Sequence, residues 1–121
     1  MRIAVVIATA GRPAIVSHAL AHVTGQTRTP DRLLVVGSEE RDFPIERPAG
    51  AMLEWVVGPR GSTFQRNLGL AMVEADADLI VFFDDDFLPQ PDWLQQAESA
   101  LIANPDVLAF TGHVIADGIL G

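Results

Sequence analysis

Four short apolar runs punctuate this chain, at Ile3–Ala8, Leu33–Val36, Met52–Val57 and Leu79–Phe83. They are rich in valine and isoleucine, and polar residues hardly interrupt them. A strand with one wet face alternates apolar and polar residues, whereas a strand covered on both faces does not. These runs therefore predict strands sandwiched between layers. What lies between them has helical spacing. Val16, Ala19, Leu20 and Val23 follow Pro13, which suits the first position of a helix, and Gly25 closes it. Ser62 is placed to cap a second helix running through Val73, with Phe64, Leu68, Ala71 and Ala75 as its apolar stripe. Pro91–Ala103 reads as a third helix with Leu94, Ala97 and Leu101 on one face. Gly37–Gly50, polar and holding two prolines, reads as a loop, and Val107–Thr111 as the start of a fifth strand. The order β-α-β-β-α-β-α-β predicts an α/β fold: a mainly parallel open sheet with helices on both faces.

At 121 residues, 49% of them hydrophobic, the chain fits one domain with a real core. Cysteine is absent, which removes disulfides, thiolate metal sites and a thiol nucleophile. The net charge is −8, with no lysine among the eight basic residues, which argues against nucleic acid as a partner. The opening run is β-branched and breaks at "TAGRP", so it reads as a first strand and not as a signal peptide. No stretch approaches the roughly 18 apolar residues of a membrane span. The expectation is a soluble, cytoplasmic chain, with the inner face of the membrane as the alternative location.

In parallel sheets ligands bind outside the carboxyl ends of the strands. The segments at those ends are "TAGR" (9–12), "GSEE" (37–40), "GPRG" (58–61) and "DDDF" (84–87). Three consecutive aspartates following a buried strand are costly unless something offsets them. In extended chain Asp84 and Asp86 share a side while Asp85 points away. Two converging carboxylates call for a cation, and Mg²⁺ or Mn²⁺ is the usual one where phosphate is also present. Helix capping explains none of the three well, because Pro89 and Pro91 intervene. Gly61 and Ser62 open a helix whose free N–H groups suit an anion, with Arg60 and Arg66 adding charge. Without the aspartates the same segment would read as a capped helix with surface arginines. His18 and His22 lie opposite the apolar face of their helix and read as solvated residues, while Trp55 and Trp93 read as packing residues. No serine sits in a nucleophile elbow, and "GPRG" is not a Walker loop.

Taken in order, "VVIATAGRP", "GQTRTPDRLLVV", "RNLGL" and "FFDDDFLPQPDWL" resemble the motifs of family 2 glycosyltransferases of the GT-A fold. "RNLGL" matches that family's A-R-N-x-G-L helix start, and the last segment its D-x-D motif with a trailing P-D-W-L. The resemblance implies a nucleotide-sugar-binding half over nearly all of residues 1–121. Position by position, it places Thr9 and Arg12 at the border of the nucleotide base and Arg66 near the base or diphosphate. It places Asp84 on the ribose or metal side and Asp86 on the divalent metal, Mg²⁺ or Mn²⁺, with Asp85 between them. The family's Asp pair after the second strand is Gly37 and Ser38 here, leaving Ser38 to hydrogen-bond and Glu39 to stand in. The Tyr and Asn of its opening turn are Ala10 and Gly11. The implied reaction moves a sugar from a UDP- or GDP-linked donor to a hydroxyl acceptor such as a glycan or lipid-linked sugar. The implied general base is an acidic residue beyond Gly121, so the chain reads as the donor-binding part of a longer enzyme. The alternatives are a non-catalytic nucleotide-sugar-binding domain and a nucleotidyltransferase.

Overall fold

The computed structural model describes residues 1–46 and 52–106. Four strands form one sheet: β1 (Ile3–Ala8), β2 (Arg32–Gly37), β3 (Leu53–Val57) and β4 (Leu79–Asp84). Their order is β3-β2-β1-β4, and every neighbouring pair is parallel. Three helices accompany them: α1 (Pro13–Thr24), α2 (Ser62–Val73) and α3 (Trp93–Ala103). The expected α/β architecture is present. The Gly37–Gly50 segment holds a one-turn 3-10 helix at Glu40–Asp42, and the strand expected at Val107–Thr111 lies outside the described residues.

The apolar runs are explained by parity. Ile3, Val5 and Ile7 face one side with Leu33, Val35, Val81 and Phe83, where Val16, Leu20 and Val23 of α1 and Leu94 of α3 cover them. Ala4 and Val6 face the other side with Leu34 and Val36, against Val73 of α2. Both pleat faces of β1 and β2 are dry, so neither parity class can be polar there. Register keeps the layers aligned, with Val5 opposite Leu33 on one side and Val81 on the other.

Helix α1 starts on Pro13, whose missing N–H is one of the groups a helix start leaves unbonded anyway. Buried Gln26 joins its end to α3. The Gln26 amide donates to the carbonyls of His22 and Gln90, and its oxygen accepts the Leu94 N–H at 3.0 Å. One side chain thereby satisfies both a helix end and a helix start. Helix α3 begins at Trp93, two residues later than the sequence pattern places it, because Pro91 and Asp92 form the preceding turn.

Helix α2 departs from expectation in two ways. Ser62 is its first residue and not its cap. Gly61 precedes it at φ +119°, and no side chain caps the helix start. Phe64 is 62% exposed, while Gln65, Gly69 and Val73 are the buried positions. The buried stripe is thus offset by one residue from the apolar reading, because its first position is filled by an amide. Gly69 lets α2 approach the sheet: a Cβ there would sit 2.4 Å from Cγ1 of Val6. Val6 is β-branched and fully packed, so it has little room to yield. Gly69→Ala gains about 1 kcal/mol of helix propensity against an overpacking cost of about 1–3 kcal/mol. The expected net result is a lower urea midpoint, and a larger drop for Gly69→Val.

Candidate functional site

Strand β1 lies between β2 and β4, and the chain leaves it first toward one edge and later toward the other. This makes the crevice between the carboxyl ends of β1 and β4 the topological switch point, where ligands of open parallel sheets bind. An open cleft of about 390 Å³ lies there, within the usual range for a small-molecule site. The turn after β1, the start of α2 and the aspartates after β4 all line it.

The three aspartates form a tight turn closed by the Phe87 N–H donating to the Asp84 carbonyl at 3.1 Å. Phe83, Phe87 and Trp93 brace the turn from below, with ring centroids 5.1 Å apart for the first pair and 4.9 Å for Phe83 and Trp93. Alternation continues beyond the strand: Val81, Phe83 and Asp85 are buried, while Asp84 and Asp86 are exposed. The expectation that Asp85 points away from the site needs correcting. Its carboxylate turns inward toward the turn after β1, where it accepts the Thr9 hydroxyl at 2.9 Å and a bidentate pair from the Arg12 guanidinium. Buried at 5% exposure, it is tolerated because each oxygen has a donor. Asp85 therefore locks the floor of the cleft and is itself neutralised.

Asp84 and Asp86 stay at the cleft surface. Asp84 accepts from Arg66 at 2.7 Å, and Asp86 lies 3.9 Å from Arg12. Arg60 also lines the cleft and has no carboxylate partner among the described residues. Three arginines thus face three aspartates, and the cleft escapes the strong negative balance of the whole chain. Among the described residues no three His, Asp or Glu side chains gather as a ready-made metal cage. Two exposed carboxylates nonetheless suit Mg²⁺ or Mn²⁺, which take one or two protein carboxylates and complete their shell with water and phosphate.

Ser38 and Glu39 do not line the cleft; they gather around Asp42 instead. Asp42 is buried and accepts four hydrogen bonds, from the Gly11 N–H at 2.8 Å, the Ser38 N–H at 2.8 Å, the Ser38 hydroxyl at 2.9 Å and the Glu39 N–H at 2.9 Å. The Glu39 carboxylate pairs with Arg41. Burial alone would raise the Asp42 pKa, but these donors together outweigh it and hold the carboxyl below its ordinary value of 3.8. Asp42 thereby ties the turn after β1, where Gly11 sits at φ +65°, to the end of β2.

Two residues of consequence escape a sequence reading. Asp42 is hidden in a segment that looks like plain loop, and its signal is the Ser-Glu pair four and three residues before it, a capping-box spacing. Gln65 is the second. It stands where the family pattern places alanine, which is a legible departure. Its amide nitrogen donates to the carbonyls of Thr9 and Val36, both at 2.8 Å, so it joins α2 to the ends of β1 and β2. His18 and His22 are exposed as expected, and Trp55 and Trp93 pack against the core.

The family model for glycosyl transferase family 2 matches residues 4–119. The chain belongs to glycosyl transferase family 2. A curated relative of this chain is the glucosyl-dolichyl phosphate glucuronosyltransferase of Haloferax volcanii, 28% identical over 127 residues. That match takes in 98% of this chain but 40% of the relative, so the chain spans about two-fifths of the relative's length. Among solved structures, TarS of S. aureus superimposes with a TM-score of 0.64 at 16% identity, over 85% of this chain and 20% of that one. TarS 1-349 in complex with UDP-GlcNAc gives 0.62 at 15% identity, over 87% and 32%. These likenesses agree with the parallel sheet and its switch point. No helix among the described residues is long and apolar enough to cross a membrane.

Proposed function

We propose that this chain is the donor-binding part of a metal-dependent glycosyltransferase, which moves a sugar from a nucleoside diphosphate to a hydroxyl acceptor. The observation that carries this reading is the cleft at the β1/β4 switch point. It sets two exposed carboxylates, Asp84 and Asp86, beside Arg60, Arg66 and the uncapped start of α2. Each part suits one part of a nucleoside diphosphate sugar. The α2 N–H groups and the two arginines favour the diphosphate. Asp86, with Asp84, would hold Mg²⁺ or Mn²⁺. When bound, the metal supplies Lewis-acid stabilisation to the diphosphate as it leaves. Arg60 and Arg66 act on the same developing charge. Thr9, Arg12 and Asp85 form the wall on which the nucleoside rests, held rigid by their own hydrogen bonds. Ser38 and Glu39 stand outside this wall. Family membership and a UDP-GlcNAc-bound neighbour support the donor class. The name of the Haloferax relative supports a lipid-linked sugar as acceptor.

Calorimetry tests this reading. UDP or GDP is expected to bind with Mg²⁺ or Mn²⁺ present and to lose most of that affinity in EDTA. Tighter binding of a nucleoside triphosphate would favour a nucleotidyltransferase instead. Absence of binding to every nucleoside diphosphate would sink the proposal.

A further inference from the structure

Gln65 is 2% exposed, yet it lines the cleft. Its orientation is not arbitrary. Both N–H bonds of its amide are spent on backbone carbonyls, of Thr9 and of Val36, each at 2.8 Å. A carbonyl can only accept, so the amide cannot be flipped and its oxygen must occupy the other position. That oxygen accepts no hydrogen bond from the described residues. No buried side-chain oxygen or nitrogen among them lacks a partner, so this oxygen retains contact with solvent. Since the residue is otherwise enclosed, the cleft it lines is where that contact lies. An acceptor is thus fixed in direction by two anchors and left open at a cleft that three arginines and three aspartates also line.

We infer that the Gln65 side-chain oxygen reads a hydrogen-bond donor on the nucleoside of the bound ligand, making Gln65 a specificity-determining residue. This rests on the donor-binding reading above. An acceptor oxygen repels phosphate, so the diphosphate lies toward Arg60 and Arg66, and the group that meets Gln65 is an N–H or O–H. Uridine and guanosine offer two kinds of source: the N–H donors of the base (N3–H of uracil, N1–H and the 2-amino group of guanine) and the hydroxyls of the ribose. Preorganisation makes the contact selective. The amide loses no freedom on binding, and a ligand without the donor leaves a nearly buried oxygen dry.

The test uses whichever nucleoside diphosphate binds in the calorimetry above, UDP or GDP, with Mg²⁺. It is compared with its analogue methylated on the ring nitrogen (N3 of uracil, N1 of guanine), for GDP also with the inosine analogue that lacks the 2-amino group, and with its 2′-deoxy and 3′-deoxy analogues. One of these should bind about tenfold more weakly to the wild-type chain, and the one that does names the source. Gln65→Met should bind the parent nucleotide about tenfold more weakly and lose that discrimination. Because Gln65→Met strands the Thr9 carbonyl and leaves that of Val36 with the Thr9 N–H alone, it threatens folding, so a second readout uses the wild type alone. The side-chain amide signals of Gln65 in a ¹⁵N spectrum should move on addition of the parent nucleotide and move less with the discriminated analogue. Equal binding of all analogues, unmoved Gln65 signals, or discrimination that survives in Gln65→Met each overturns the inference while leaving the donor-binding reading intact. If no nucleoside diphosphate binds, both fall together.

Discussion

Asp42→Ala is expected to lose about 3–4 kcal/mol of stability, a large share of what a domain of this size has. The carboxylate is buried and accepts from three backbone N–H groups and one hydroxyl. Alanine removes all four acceptor contacts at once, and each donor left dry costs about 1–3 kcal/mol before water relaxes into the gap. The damage falls on two segments far apart in sequence, the turn after β1 and the end of β2. Urea denaturation reads the loss. Asp42→Asn separates charge from shape. Its one oxygen can still accept, but its amide nitrogen faces donors, so it should lie between wild type and alanine. An alanine variant within about 0.5 kcal/mol of wild type would show that the turn does not depend on this carboxylate.

The same group sets a pH dependence. Asp42 has a folded pKa below its ordinary value, and so does Asp31, which accepts the Ile3 N–H at 2.7 Å and pairs with Arg28. A depressed carboxyl pKa contributes stability above the unfolded value and loses it as pH falls through the folded one. Stability should hold near neutrality and decline below about pH 4. Asp42→Asn should flatten that decline.

The sheet was legible in the sequence because each of its strands is covered on both faces, at least in part. Ile3–Ala8 needs apolar residues at every position, and no helix-period pattern mimics that run. The site was legible in part for a related reason. Strand ends in such a sheet collect ligands, and Asp84–Asp86 stand at one. What stayed hidden was polar burial. Gln65 occupies a position that an apolar-stripe pattern skips, so Phe64 reads as inward in its place. Asp85 reads as an outlier by alternation alone. Its partners Thr9 and Arg12 lie more than seventy residues away, and only the β1–β4 register brings them within reach. Ser38 and Glu39 look available because a sequence does not show that Asp42 has already claimed them. For Gln65 and Asp85 the missing information is a long-range partner for a polar group, which local spacing does not encode; for Ser38 and Glu39 it is the burial of a near one, Asp42.

Asp86→Asn should weaken Mg²⁺-dependent UDP or GDP binding on the order of 100-fold, or about 2.7 kcal/mol, and bring it to the level the wild type shows in EDTA. Asp86 is the less encumbered of the two exposed carboxylates, since its nearest cation, Arg12, is already committed to Asp85. Asp84 differs, because Arg66 holds it at 2.7 Å. That pair is exposed on both sides, so it contributes little and opens readily. Asp84 would hold the metal in place of Arg66, whose guanidinium would then be free to turn to the phosphates. Asp84→Asn therefore has two opposed effects: it removes one metal contact and releases one cation. Its loss should be smaller than that of Asp86→Asn, and its residual binding in EDTA should exceed the wild type's. Calorimetry of the three proteins with and without Mg²⁺ distinguishes the cases. If Asp84→Asn were the more damaging variant, the metal would belong to Asp84. If neither changed the Mg²⁺ response, the two carboxylates would instead serve as counter-ions that keep Arg66 and Arg12 in place until the nucleotide arrives.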